Sequence, residues 1–156
     1  MQVFVNTTDG HERELLAEWL AAEGVELAPS SLAIAQATRE ALRELLIANT
    51  HGRAPSPEAL ALLGRAAARA LLTVDFTSGA LVPRAGGVDG AVGRVLAVAA
   101  EALRDGSWAR LKACRNCRWA FYDESRNRSA AWCSMQLCGN REKTKAYRRR
   151  LAARTA

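Results

Sequence analysis

Apolar residues recur along the first hundred positions with the spacing of amphipathic helices. Leu15, Leu16, Trp19 and Leu20 form one face, opened by Asp9 with Glu12 three residues on as a capping pair and closed by Gly24. A second helix begins at Ser30 or Ser31, carries Ala35, Ala41, Leu42, Leu45 and Leu46, and stops before His51-Gly52. Ser56-Pro57-Glu58 opens a third with a capping hydroxyl, a proline at the first helical position and an acid; Leu60, Leu63, Ala67, Ala70 and Leu71 are its apolar face. The period then drops to two. Leu72 to Phe76 alternates, Thr77-Ser78-Gly79 turns, and Ala80-Leu81-Val82 returns as a short hairpin. Beyond the break at Gly86-Gly87, Asp89 caps a fourth helix with face Val92, Val95, Leu96, Ala99 and Leu103, closed at Gly106.

This pattern predicts a helical domain over residues 1–106 with one small β-hairpin, followed by a distinct module over 107–156. No run of about 18 uncharged apolar residues occurs, so no membrane span is expected. Met1 to Asn6 lacks the basic start and apolar run of a secretory signal, which points to the cytoplasm, where thiols stay reduced.

Charge divides the chain at the same place. The net charge of +6 is the sum of −4 over residues 1–106 (9 Lys+Arg, 13 Asp+Glu) and +10 over residues 107–156 (13 Lys+Arg, 3 Asp+Glu). All four cysteines lie in the basic segment, with Trp108, Trp119, Phe121, Tyr122, Trp132 and Tyr147. A basic segment of this kind faces a polyanion or is simply a solvated tail. Trp119, Phe121, Tyr122 and Trp132 read first as a small core around the cysteines and second as platforms for stacked bases, and Tyr147 reads as a core anchor.

The cysteines are spaced Cys114-x2-Cys117, then 15 residues, then Cys133-x4-Cys138. Two close pairs separated by such a loop suit one tetrahedral ion, and a closed four-thiolate shell around Zn2+ leaves no position for a reacting water. The ion expected is therefore structural. Two disulfides, a thioredoxin-like redox pair or an iron–sulfur cluster are the competing readings of four cysteines. Arg115 and Arg118 flank the first pair and are expected to offset the negative charge of the thiolate cluster.

The residues from Trp108 through Cys114-Arg-Asn-Cys117 to Asn127, then Trp132-Cys-Ser-Met-Gln-Leu-Cys138-Gly-Asn-Arg141, resemble the CGNR zinc-finger family, named for the run at Cys138 to Arg141. Phe4-Val5-Asn6-Thr7, Trp19-Leu20 and the order of helices and hairpin are similar to the ABATE domain. The resemblance implies a bacterial stress-induced transcription regulator with zinc held by Cys114, Cys117, Cys133 and Cys138. The fold expected is mainly α: the helical domain, then a treble-clef-like or ribbon-like zinc finger ending in a basic helix.

That last helix follows Asn140, itself read as a cap or turn rather than a base reader. Arg141, Lys145, Arg148 and Arg149 fall within about 100° on a helical wheel, beside a narrower stripe of Thr144, Tyr147 and Leu151 that could dock on the zinc core. With Arg126, Asn127 and Arg128 from the loop between the cysteine pairs, these cations are the candidate nucleic-acid contacts, with DNA ahead of RNA. The same cations could instead be a solvated face, pair with the acidic helical domain of the same or another subunit, or meet an acidic protein, which would make the chain a zinc-stabilised interaction adaptor. In the helical domain, Asn6-Thr7 is read as a helix cap or as part of a ligand pocket. Arg39 and Arg43 are read as a solvated face paired with Glu40 and Glu44, and His11 and His51 as surface residues. No catalytic triad, phosphate loop or motif-spaced acid pair is found. The expected protein is thus not an enzyme but a DNA-binding regulator whose helical domain senses a small effector or forms a homodimer, with no membrane partner.

Overall fold

One long helix organises the molecule. The computed structural model describes residues 1–8 and 14–154; the Asp9–Glu12 cap and His11 lie outside the described residues. The elements are α1 (Gln2–Val5), α2 (Leu16–Ala22), α3 (Pro29–His51), α4 (Pro57–Arg69), β1 (Leu72–Val74), β2 (Leu81–Pro83) and α5 (Gly87–Asp105), then β3 (Leu111–Ala113), β4 (Ala120–Tyr122) and α6 (Asn140–Arg154). Helix α3 touches α1, α2, α4, α5 and β3, so its faces meet both the helical part and the cysteine segment.

Its ends are set by local chemistry. Pro29 occupies the first turn, where the missing N–H costs nothing, so the helix starts slightly before the serines expected to open it. At the other end Gly52 takes a left-handed conformation at φ +64, and the amide of Arg53 bonds back to the carbonyl of Ala48 at 3.0 Å. Helix α2 stops the same way: Gly24 at φ +71 lets Val25 N–H reach Leu20 O at 3.0 Å. Ser56 caps α4 by accepting from Ala59 N–H at 3.2 Å, as its sequence predicts.

Most of the expected apolar faces are buried: Val92, Val95, Leu96 and Ala99 of α5, with Ala70 at the end of α4, while Leu63 and Ala67 pack against the core; three leucines depart from them. In α4 the buried residues are Ala59 and Ala66, with Ala70 following, while Leu60 and Leu71 are exposed. In α5 Ala102 is buried and Leu103 exposed, and Asp89 pairs with Arg69 at 3.0 Å rather than capping the helix. The reason is steric. Helices α4 and α5 meet through alanines and glycine, and a Cβ on Gly93 would lie 2.7 Å from Ala70 Cβ and 2.8 Å from Pro83 Cβ. So close an approach admits only small residues at that point, while Val92, Val95 and Leu96 are buried elsewhere along α5. Strands β1 and β2 form the expected hairpin, antiparallel with Thr73 opposite Val82.

A second antiparallel hairpin, β3–β4, pairs Lys112 with Phe121. Its Leu111, Ala113 and Ala120 belong to the same apolar core as Phe4, Val5, Leu20, Leu42, Leu46 and Val92. Arg39 and Arg43 are not solvated: they are 2% and 5% exposed. Arg39 donates to Thr7 Oγ1 at 3.0 Å, to Glu14 at 2.6 Å and to Glu40 at 2.9 Å. Arg43 donates to Glu40 at 3.2 Å, to the carbonyl of Val5, and to the carbonyl of Arg118 at 2.9 Å. They are buried because α3 lies against α1 and the hairpin, where backbone carbonyls need donors. Glu44 pairs with Arg53 instead, at 3.1 Å.

The same side of α3 continues the join. Thr50 Oγ1 accepts from Ala113 N–H at 2.9 Å and lies 2.9 Å from the Ala113 carbonyl, also bonding Leu46 O at 2.8 Å. Asn49 Nδ2 reaches the carbonyls of Trp108 and Leu111 at 2.8 and 2.7 Å. From the first residues, Asn6 pairs with both backbone groups of Ala120, donating at 2.8 Å and accepting at 2.7 Å. Replacing Thr50 by Val keeps the volume and strips Ala113 of its partner. Urea unfolding of the zinc-loaded protein should show a loss of about 1–3 kcal/mol; a loss below about 0.5 kcal/mol would mean the join does not depend on this hydroxyl.

Candidate metal centre and the faces around it

The first cysteine pair is built by a tight reversal between β3 and β4. Cys114 N–H bonds Trp119 O at 2.9 Å and Arg118 N–H bonds Cys114 O at 2.8 Å, closing the turn with Arg118 at φ +60. Arg115 N–H bonds Ala131 O at 3.0 Å, which draws the second pair's approach segment alongside. A π-helical turn at Met135–Gly139 then follows Ser134, whose hydroxyl accepts from Leu137 N–H at 3.2 Å. That turn runs directly into α6, so the second pair sits at a helix start rather than on a second ribbon. The arrangement is treble-clef-like.

Four thiol sulfurs converge within 4.8 Å of one another. Cys117 and Cys133 are 3.6 Å apart, Cys133 and Cys138 3.8 Å, and Cys117 and Cys138 3.6 Å. A tetrahedron with zinc–sulfur bonds of about 2.3 Å has edges of about 3.8 Å. The cysteines are free, so the disulfide reading does not hold. The sulfurs also need a cation. Burial opposes ionisation of Cys114, yet backbone amides of Cys117, Cys133 and Asn116 outweigh it and bring the thiol down to about 7. Cys117 is pushed up, chiefly by burial, and Cys133 is pushed far up by burial and then by its sulfur neighbours. Four sulfurs this close repel one another as thiolates, and a divalent ion among them would offset that repulsion. The set fits one structural zinc ion with a closed sulfur shell.

The groups around the sulfurs sort differently from their order in the sequence. Asn116 Nδ2 lies 3.4 Å from Cys138 Sγ, and its Oδ1 accepts from Lys145 at 3.2 Å. The Arg115 guanidinium donates to Thr50 O at 3.1 Å, and Arg118 contributes its carbonyl to Arg43. Gly139 is buried, and a Cβ there would press on Trp132 at 3.3 Å and on the Met135 sulfur at 2.4 Å. Asn140 is an ordinary helical residue of α6 rather than a side-chain cap.

Between the pairs, Asp123 is the organising residue, and sequence reasoning missed it. It is 1% exposed and accepts from Lys112 Nζ at 2.7 Å, from Ser125 N–H at 2.9 Å and from Ala130 N–H at 2.9 Å. Lys112, 6% exposed, also donates to the carbonyls of Arg128 and Ala130. Burial alone would raise the Asp123 carboxyl; these donors hold it well below the usual carboxylate range. Arg126, Asn127 and Arg128 are exposed on the loop this ion pair shapes, with Arg128 at φ +51.

Helix α6 leaves the core after its first turn. Glu142 and Ala146 are half-buried and the residues from Tyr147 to Ala153 are exposed. Tyr147, expected to anchor in the core, is 58% exposed, and Leu151 is 45% exposed. Arg141, Arg148 and Arg149 are exposed, and among the described residues none has a carboxylate within ion-pair distance. Lys145 pairs with Glu142 at 2.7 Å.

Trp119, Phe121 and Tyr122 do not close a core around the metal. They line a cleft of about 780 Å³ together with Leu15, Glu18, Trp19, Asn6 and Thr7. Trp19 itself packs on Phe4, ring centres 4.6 Å apart. Asn6 stands at the C-terminal cap position of α1 and bonds Ala120, Thr7 Oγ1 donates to Phe4 O at 2.9 Å, and both residues border the cleft. Trp132 packs at Gly139 instead.

A mainly helical chain that ends in a four-cysteine metal centre with a basic helix growing out of it is a zinc-finger protein. Residues 110–151 match the CGNR zinc finger. Residues 3–106 match the ABATE family, described as a putative stress-induced transcription regulator, and the chain belongs to that family. No curated protein matches the chain. Neither family description names a catalytic activity, and among the described residues no helix is long and apolar enough to cross a membrane.

Substituting Cys133 by Ser should abolish zinc retention, measured as metal per chain by atomic absorption after desalting; an unchanged stoichiometry refutes its role as ligand. Asp123→Asn strands a buried ammonium and should cost about 3–5 kcal/mol in denaturant unfolding. Because the folded-state pKa of Asp123 lies below its unfolded value of about 3.9, its contribution is present above about pH 4 and is lost as pH falls further. Acid titration of the wild type and Asp123→Asn should therefore converge at the low end; parallel curves throughout would contradict the pairing.

Proposed function

We propose that this chain is a zinc-dependent DNA-binding regulator of the cytoplasm. In it residues 1–106 receive an effector or pair with a second copy, and residues 107–156 contact the nucleic acid. The observation that carries the reading is α6. Fifteen residues, about 22 Å of helix, spring from Cys138 and stand clear of the core with seven Lys and Arg against one acid. Such a rod fits the width of a DNA major groove, and its flank of Arg141, Lys145, Arg148 and Arg149 suits phosphate contact. Arg126, Asn127 and Arg128 add exposed donors on a loop held rigid by Asp123. Zinc acts here as a foundation: it fixes Cys138, and so the direction in which the helix leaves. A closed four-sulfur shell and a family described as regulators both favour regulation over catalysis.

The exposed Tyr147 supports a second reading, docking of α6 on an acidic protein partner. Fluorescence anisotropy of labelled mixed-sequence DNA and RNA separates the readings. Affinity for DNA should fall with salt at a log–log slope near −0.9 per phosphate engaged. Changing both Arg148 and Arg149 to Ala should weaken binding and reduce that slope by roughly 2 without altering zinc content. No binding to either polymer at low salt would leave the protein partner as the surviving reading.

A further inference from the structure

We propose that the cleft between α2 and the zinc hairpin is the effector site and that it takes a small, planar organic cation. The proposal rests on the sensing role assigned above to the helical part and gives that role a place and a chemistry. Four aromatic rings, those of Trp19, Trp119, Phe121 and Tyr122, border one concavity of about 780 Å³, the size of a small-molecule site. Trp119 and Tyr122 are 40% and 45% exposed. Large rings left open around a hollow are unusual on a surface that has no ligand to cover them. The charged side chains on the rim are both carboxylates, Glu18 from α2 and Glu124 from just beyond β4. Among the described residues, no lysine, arginine or histidine lines the cleft and neither glutamate has a cation within ion-pair distance.

This is notable in a chain of net charge +6, whose cations are otherwise abundant within the same segment as β4. Aromatic faces carry negative quadrupole charge and attract cations, most of all where water is partly excluded. Two carboxylates beside those faces reinforce the sign. An anion would meet repulsion from both sources, and a neutral aromatic would gain only the apolar term. A flat amine or quaternary ammonium of aromatic size satisfies rings and acids together.

The two walls belong to different parts of the chain. Trp19 and Glu18 come from the helical part, whereas Trp119, Phe121 and Tyr122 follow Cys117 directly. An occupant therefore bridges the helical part and the metal-bearing hairpin, and binds best when the two are held together.

Calorimetry and tryptophan fluorescence on the full zinc-loaded chain, without DNA, test the assignment. Phenethylamine is the probe, with 3-phenylpropionate and benzyl alcohol as anionic and neutral counterparts. The amine should bind at least about tenfold more tightly than the acid and perturb tryptophan emission. Changing Glu18 and Glu124 together to Gln, at exposed positions, should weaken the amine about tenfold and leave the alcohol nearly unaffected. Trp119→Leu should weaken both. Equal binding of amine and acid, amine binding indifferent to the glutamates, or no binding of any probe at millimolar concentration overturns the proposal. The titration contains no DNA, so such a failure leaves the DNA-binding reading standing, and a failure to bind DNA leaves the titration result intact.

Discussion

Where helix α3 meets the zinc hairpin, backbone amides and carbonyls are removed from water, and each must find a partner there. Side chains of α3 supply those partners. Thr50 serves both groups of Ala113, Asn49 serves Trp108 and Leu111, and Arg43 serves Val5 and Arg118. A neutral, apolar α3 would pack against the helices well enough and leave the hairpin unsatisfied. The buried arginines need their own compensation, which Glu40 and Glu14 provide. The finger is consequently bonded to the helical part by a polar seam laid within a shared apolar core.

The metal then settles what the seam cannot. Residues 123–139 contain no strand and little apolar burial; they are shaped by one buried ion pair, a few amide bonds and the four sulfurs. The glycine of the Cys-Gly-Asn-Arg run is explained by proximity, since Trp132 and Met135 occupy the space a side chain would need. Helix α6 in turn depends on that knot for its origin and almost nothing else for its position. A cation-rich helix lacking a docked face gains little from burial, and its order comes from the end that is tied.

Much of this was legible in the sequence, for identifiable reasons. Cysteine spacing revealed the metal centre because four ligands in two close pairs have few other uses. Cap and stop residues located α4 and the ends of α2 and α3, since Ser56, Gly24 and Gly52 act through their immediate neighbours. What escaped notice depended on tertiary context. Leu60, Leu71 and Leu103 fell outside the buried faces of α4 and α5, where the close approach of Gly93 to Ala70 favours small residues at the contact. Lys112 and Asp123 look like ordinary charges until the hairpin register brings them together. Arg39 and Arg43 carried a signal that could have been used: with Leu46 and Thr50 they fall within about 60° of one another on a helical wheel, on the stripe that packs inward. Exposure of Tyr147 could not be foreseen, because the local sequence does not fix what packs on that face of α6.

The bond between Asn6 and Ala120 joins residues 114 positions apart. A chain emerging from the ribosome makes its first helix long before it makes the strand that completes that helix's surroundings. Contacts of such separation form late and slow the final step of folding. The opening residues must therefore wait, incompletely docked, until the cysteine hairpin has been synthesised and closed.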